Sequence, residues 1–268
     1  MFRYDADTDH DVFPQYINQV HLYVYSMETG ELVYNQICSQ ASLGYLQGTR
    51  LSLPMGEYRA VCWGNSYELS TLSGCTLHCE QEEGHLIHPA CLTGGKIETN
   101  DPLYYGTYDF TIRNGENQVE TVPFHCAHID FEVYVKGYES QGHYVGGEQV
   151  TTRIHFNNLL PEYDFWMEKH GTMVSYFPSS AHDTSKECTA SYTRTLRFNE
   201  QNPITIDVLD AFTGKTVYTL SLQDFIENEH IRITGKEEIT IVILIEFHGM
   251  DVTVQVPNWE EVPVLPEI

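Results

Sequence analysis

Residues 20–34 read VHLYVYSMETGELVY, and residues 204–218 read ITIDVLDAFTGKTVY. Laid over each other without gaps, they place Val24 on Val208, Thr29 on Thr213, Gly30 on Gly214, Val33 on Val217 and Tyr34 on Tyr218, five identities in fifteen positions. Both copies alternate apolar and polar residues on either side of a Thr-Gly pair. Period-two alternation marks a half-buried strand, and glycine supplies the positive φ that a tight return needs. Each copy is a predicted β-hairpin, and the repeat of such a unit points to two domains of one sandwich type.

The same alternation recurs in Ile129, Phe131, Val133 and Val135, in Ile241, Ile243, Ile245 and Phe247, and in Val252, Val254 and Val256. Turn residues separate these runs at Pro54-Met55-Gly56, Asn114-Gly115, Gly146-Gly147 and His248-Gly249. About a dozen short strands follow from this spacing, as in antiparallel sandwiches. The predicted fold class is all-β, two tandem β-sandwich domains, with a boundary near residues 124–128: 1–126 and 127–268. The Gly-rich stretch 137–147 is the alternative break. One helix is expected from about 222 to 229 in the second domain, where Ser221 and Asp224 form a capping box ahead of Leu222, Phe225 and Ile226. A second short helical stretch is expected at Tyr67–Leu72.

Composition narrows the function. Lys plus Arg is 14 against 38 Asp plus Glu, a formal charge of −24, and hydrophobic residues make up 41% of 268. The apolar fraction is enough for a core, whereas the charge excludes a phosphate-backbone partner, whose binding is driven by clustered cations. The longest apolar run, Ile241–Ile245, falls far short of the roughly 20 residues of a membrane-spanning helix. Seven cysteines with no pair of Cys-x-x-Cys units read as reduced, buried thiols, and no Asn-x-Ser/Thr acceptor occurs.

Three constellations could carry chemistry. Asp5, Asp7, Asp9 and Asp11 alternate as in a calcium loop, but His10 stands where the turn requires Gly and Tyr16 where a bidentate Glu belongs, so a solvated acidic arm is expected. Cys75, His78, Cys79, His85 and His88 gather zinc-type donors in one segment, with the two pairs closer together than a zinc loop sets them, so a polar loop is expected. Gly214-Lys215-Thr216 resembles the end of a phosphate loop, yet Leu209 replaces the required upstream Gly. With no nucleophile elbow, His-Glu-x-x-His or dinucleotide fingerprint, the sequence assigns no catalytic, cofactor-binding or metal residue, and the expectation is a non-enzyme with no cofactor. Tyr23, Tyr25, Tyr34 and Tyr134, on outward strand faces, are expected to serve cross-strand packing in preference to a contact surface. Trp63 is expected to anchor the core and Trp259 to cap the last strand.

The run LPMGEYRAVCWGN (53–65) after the first hairpin, DPLYYG (101–106), HIDFEVYVKGY (128–138) and the ending LDAFTGKTVYTLSLQDFIENE, ITIVILIEF and VTVQVPNWEEV occur in an order and spacing that resembles the fimbrillin-associated anchor proteins (FimB-like) of gram-negative anaerobes. The resemblance runs from about Phe13 to Trp259. It implies tandem transthyretin-like β-sandwiches and a cell-surface protein, held to the outer membrane by a lipidated Cys, that anchors or assembles a fimbrium with fimbrial subunits as partners. The first Cys here is Cys38, inside the second predicted strand, so either the lipid sits on a segment ahead of this sequence or the protein is a member that carries none. The resemblance also implies work by strand complementation, with the acidic arm ahead of Ile17 and the tail Asn258–Ile268, restricted by Pro257, Pro263 and Pro266, as the extended elements. The alternative function is a surface adhesin or tip module that binds glycan or protein, with calcium at the acidic loop.

Overall fold

The computed structural model describes residues 1–73, 85–114, 117–140, 143–145 and 147–258, and 48% of the described residues are strand and 9% helix. The expected alternation becomes register. In Val20–Ser26, Val20, Leu22 and Val24 are buried on one face; in His128–Lys136, Ile129, Phe131, Val133 and Val135 are. Six strands form the first sheet in the order Phe2–Arg3, Val122–Cys126, Tyr104–Ile112, Gly56–Gly64, Val20–Ser26, Leu32–Cys38. A four-stranded sheet follows the order Lys169–His170, Glu162–Asp164, His85–Ile87, Thr71–Ser73. Residues 162–170 thus return from far along the chain to pair Glu162 with Ile87 and Tyr163 with Leu86.

The other two large sheets pack face to face. One is ordered Val174–Tyr176, Thr152–Leu159, Thr205–Asp210, Thr216–Ser221; the other Ser180–Asp183, Cys188–Leu196, His128–Lys136, Thr240–His248, Asp251–Gln255. Ile129, Phe131, Val133, Ile241, Ile243 and Ile245 of the second meet Ile154, Phe156, Ile206 and Val208 of the first in one apolar cluster. The rings of Phe131 and Phe156 lie 4.9 Å apart in the edge-to-face arrangement that aromatic quadrupoles favour. The cluster is closed by the helix Leu222–Asn228, whose Leu222, Phe225 and Ile226 are buried and whose cap is Ser221 Oγ accepting from the Asp224 amide. The Asp224 side chain makes no return bond to Ser221 among those the structure gives, so one half of the expected capping box forms.

Three expectations are corrected. The pairing is mixed, because His128–Lys136 and Thr240–His248 run parallel, as do Phe2–Arg3 and Val122–Cys126. Tyr67–Leu72 is no helix: residues 68–69 turn and Thr71–Ser73 is a strand, since its partner His85–Ile87 satisfies its backbone across the sheet. The strands are also more numerous than a dozen, 21 among the described residues, because pieces of two to four residues such as Lys169–His170 are too short to show a period. Three further short helices occur, Phe13–Tyr16, Gln40–Tyr45 and Pro89–Thr93. No helix among the described residues is long and apolar enough to cross a membrane. The stretch 137–147 carries the start of a hairpin, His143–Val145 with Glu148–Val150.

The two echoed hairpins coincide in detail. Each has a register shift at the matched position, Val24/Tyr25 and Val208/Leu209. Gly30 and Gly214 hold φ of 74° and 71°. Their amides donate to Ser26 O and Asp210 O, each over 2.8 Å.

Trp63 is fully buried between the six-stranded sheet and the 162–170 hairpin, against Tyr105, Tyr163 and Phe165. Tyr25 and Tyr134 are buried and Tyr23 packs 5.1 Å from Phe165, so these tyrosines serve packing. Trp259 and the tail beyond Asn258 lie outside the described residues.

Candidate functional site

The six-stranded sheet is left open on one side. Leu32–Cys38 is its last strand, seven residues with no strand beyond it among the described residues. Alternation sends Tyr34, Gln36 and Cys38 one way and Asn35 and Ile37 the other, and the register shift at Val24/Tyr25 turns Leu32, opposite Tyr25, to the same side as Ile37. Asn35 and Ile37 are exposed, Ile37 at 60%, as is Val33 at 44% within the shift. On that side the covering sheet ends at Thr71–Ser73. A cleft of about 800 Å³ opens there, lined by Gln19, His21, Ile37, Tyr67, Glu68 and Asp101 among others. Its wall is braced: Asp101 Oδ2 accepts from the Tyr67 amide at 2.8 Å and Ser70 Oγ at 2.7 Å. Gln19 Nε2 donates to Ser66 O at 3.0 Å and meets His21 Nε2 at 2.8 Å. Burial holds the His21 imidazole below its ordinary pKa. An unpaired strand beside an apolar side chain and a cleft can accept a further strand.

The acidic arm is docked. Asp11 Oδ1 accepts from the Tyr4 and Phe13 amides and Oδ2 from Gln47 Nε2, at 3.1, 3.0 and 2.6 Å. Burial alone would raise the Asp11 carboxyl, but these bonds hold it below the usual carboxylate range. Asp5 pairs with Arg3 Nε at 2.7 Å, and Asp7 accepts from the Glu237 amide at 3.2 Å. The four aspartates do not form a convergent ligand group among the described residues.

Of the Cys/His segment, Cys75, His78 and Cys79 lie outside the described residues. His85 Nε2 and Ser73 Oγ lie at hydrogen-bond distance, 3.1 Å, and His88 Nδ1 accepts from the Ala90 amide to cap the helix Pro89–Thr93. Gly214-Lys215-Thr216 is a hairpin turn in which Asp210 Oδ1 accepts from the Phe212 and Thr213 amides.

Two groups of convergent metal-type donors occur among the described residues, and sequence spacing indicated neither. Asp164, Glu168 and His170 meet at an exposed hairpin, where Asp164 Oδ1 is already committed to the Trp166 and Glu168 amides and Oδ2 to His170. Cys126, His128 and Glu238 meet in a buried position. There burial pushes the Cys126 thiol up to about 12, drops the His128 imidazole to about 4 and raises the Glu238 carboxyl. The i, i+2 pair Cys126/His128 was visible in the sequence; Glu238, 110 residues away, was not.

A family model described as fimbrillin-A associated anchor proteins Mfa1 and Mfa2 matches residues 1–264. No curated protein matches the chain. Among solved structures, a candidate adhesin from Bacteroides ovatus superposes with a TM-score of 0.74 at 17% identity, over 96% of this chain and 92% of that one. A candidate polysaccharide-binding protein from Bacteroides thetaiotaomicron gives 0.72 at 15%, over 92% and 89%. The fimbrial anchor protein Mfa2 from Porphyromonas gingivalis gives 0.65 at 13%, over 94% and 93%.

Proposed function

The chain belongs to the family of fimbrillin-A associated anchor proteins, and from that premise we propose a non-enzymatic anchor or accessory subunit of a cell-surface fimbrium that holds a neighbouring subunit by strand addition. The observation that carries this reading is the open side of the six-stranded sheet, where Leu32–Cys38 has no strand beyond it among the described residues and Ile37 lines a cleft. A strand laid there gains backbone hydrogen bonds along the edge, and its alternate side chains enter the cleft. On this reading residues 1–126 and 127–268 are tandem transthyretin-like β-sandwich units, with the 162–170 hairpin reaching back across them. On the same reading the protein is held to the outer membrane through an N-terminal lipid.

A second reading, an adhesin that takes a glycan or protein in the same cleft, is favoured by its mixed lining of Tyr67, His21, Gln19, Glu68 and Asp101. Capture of sheared fimbriae by the immobilised protein separates the two. Strand addition predicts that Ile37→Arg and Val33→Arg, both at exposed positions, abolish capture while the melting temperature holds. Capture that survives both substitutions overturns it. Saturable binding on a glycan array that is lost with Tyr67→Ala, with or without calcium, supports the second reading.

A further inference from the structure

Three donor side chains from separate parts of the chain converge where the six-stranded and five-stranded sheets meet. Val122–Cys126 ends one residue before His128–Lys136 begins. In extended backbone residues i and i+2 share a face, so Cys126 and His128 point the same way. Cys126 Sγ lies 3.3 Å from His128 Nδ1 and 3.9 Å from Nε2. Thr240–His248 runs parallel to His128–Lys136 with Thr240 opposite Asp130, which brings Glu238 level with His128. The ligand atoms of Cys126, His128 and Glu238 lie within 4.8 Å of one another.

We propose that Cys126 Sγ, His128 Nε2 and Glu238 Oε2 bind one zinc ion, with water in the fourth position. A thiolate, an imidazole and a carboxylate form the donor set that suits zinc and not calcium or magnesium, which take oxygen. Bond lengths of about 2.3 Å to sulfur and about 2.0–2.2 Å to nitrogen and oxygen set tetrahedral neighbours roughly 3.3–3.6 Å apart, so the group, now within 4.8 Å and with Sγ 3.9 Å from Nε2, closes up around the ion.

The surroundings orient each ligand as outer-shell partners of a metal do. His128 Nδ1 donates to Leu103 O at 2.9 Å, which fixes the tautomer that leaves the lone pair on Nε2. The hydroxyls of Tyr4 and Tyr104 both donate to Glu238 Oε1, which fixes the carboxylate and leaves Oε2 for the metal. Cys126 is 2% and His128 3% exposed, so the bound ion is shielded from competing water. Binding exchanges the thiol proton for the metal, and the ion joins the end of one sheet, the start of another and the 233–238 loop at a single point.

The test uses the full chain, stripped with a chelator and titrated with zinc chloride alone or cobalt chloride alone. The expected result is one zinc per chain, a raised melting temperature, and a thiolate-to-cobalt charge-transfer band. Cys126→Ser should abolish the band. Glu238→Gln, which keeps an acceptor for both tyrosine hydroxyls, should retain the far-ultraviolet circular dichroism spectrum while weakening zinc by about 10–100-fold or more. A Cys75→Ser, Cys79→Ser double variant should bind zinc as the parent does. No zinc uptake by the stripped chain, undiminished affinity in Glu238→Gln, or loss of zinc in the Cys75/Cys79 variant each overturns the proposal.

Discussion

The backbone N–H of Cys126 donates to Glu237 Oε2 over 2.6 Å, although the two residues are 111 apart in sequence. The other carboxylate oxygen meets His125 Nδ1 at 2.8 Å. Arg197 completes the attachment from the far side by donating to the carbonyls of Ile233, Lys236 and Glu237, so one guanidinium fork and one carboxylate fix the 233–238 loop. Glu237→Ala leaves the buried Cys126 amide without its acceptor, and a loss of about 1–3 kcal/mol is expected in urea unfolding. A variant as stable as the parent would show that water replaces the carboxylate.

Glu200 gives the protein an acid-labile contact. Its Oε1 accepts from the Ile233 and Thr234 amides at 2.8 Å each, and its Oε2 from Thr234 Oγ1 at 2.6 Å. These bonds, the Thr234 hydroxyl first, lower the carboxyl from 4.5 to about 2. A carboxylate depressed in the folded state stabilises it above the unfolded pKa, and that contribution disappears as pH falls through the folded value. The melting-temperature gap between the parent and Glu200→Gln should therefore be widest above pH 4.5 and should close between about pH 4.5 and 2. A gap constant across that window would rule out this linkage.

Gly137 and Gly214 both have positive φ, 72° and 71°, yet they should respond differently to a methyl group. At Gly214 a Cβ meets nothing within 4 Å, so Gly214→Ala should cost only the left-handed backbone term of about 1–2 kcal/mol. At Gly137 the Cβ would run into the Phe247 carbonyl oxygen, and backbone cannot swing aside as a side chain can. Gly137→Ala should add roughly 1–3 kcal/mol of overpacking to the same backbone term. Chemical denaturation of the two variants reads the difference directly, and equal losses would mean that the Phe247 strand yields.

What the sequence made legible was local. The hairpins of Gly30 and Gly214 were readable because a turn and its flanking alternation sit in fifteen consecutive residues, and the match extends to the register shift beside each. The helix after Ser221 was readable from its cap and apolar face for the same reason. The pairing of Glu162–Asp164 with His85–Ile87 was not, because three-residue strands carry no period and their partners lie some 75 residues away. The role of His88 as a helix cap was not legible, because composition shows the imidazole and not the Ala90 amide it accepts from. The Cys126, His128 and Glu238 convergence depends on a parallel pairing that alternation alone does not specify.

Trp63 tests how firmly the distant hairpin is held. Its indole is fully buried, stacked on Tyr163 at 5.7 Å and packed against Tyr105 at 5.0 Å and Phe165 at 6.4 Å, with no hydrogen-bond partner on Nε1 among the described residues. Since the ring contributes volume and contact and no hydrogen bond, Trp63→Phe should lose about 1–2 kcal/mol, whereas Trp63→Ala should lose about 3–5 kcal/mol by opening a cavity. Tyr163 and Phe165 belong to the returning segment, so the cavity should loosen that segment before the rest. Amide exchange at Tyr163 and at Leu86 opposite it should accelerate in Trp63→Ala more than exchange in Ile129–Val135, whose cluster does not include Trp63. If both regions accelerate equally, the halves unfold as one cooperative unit, and the indole supports the whole chain instead of the hairpin it touches.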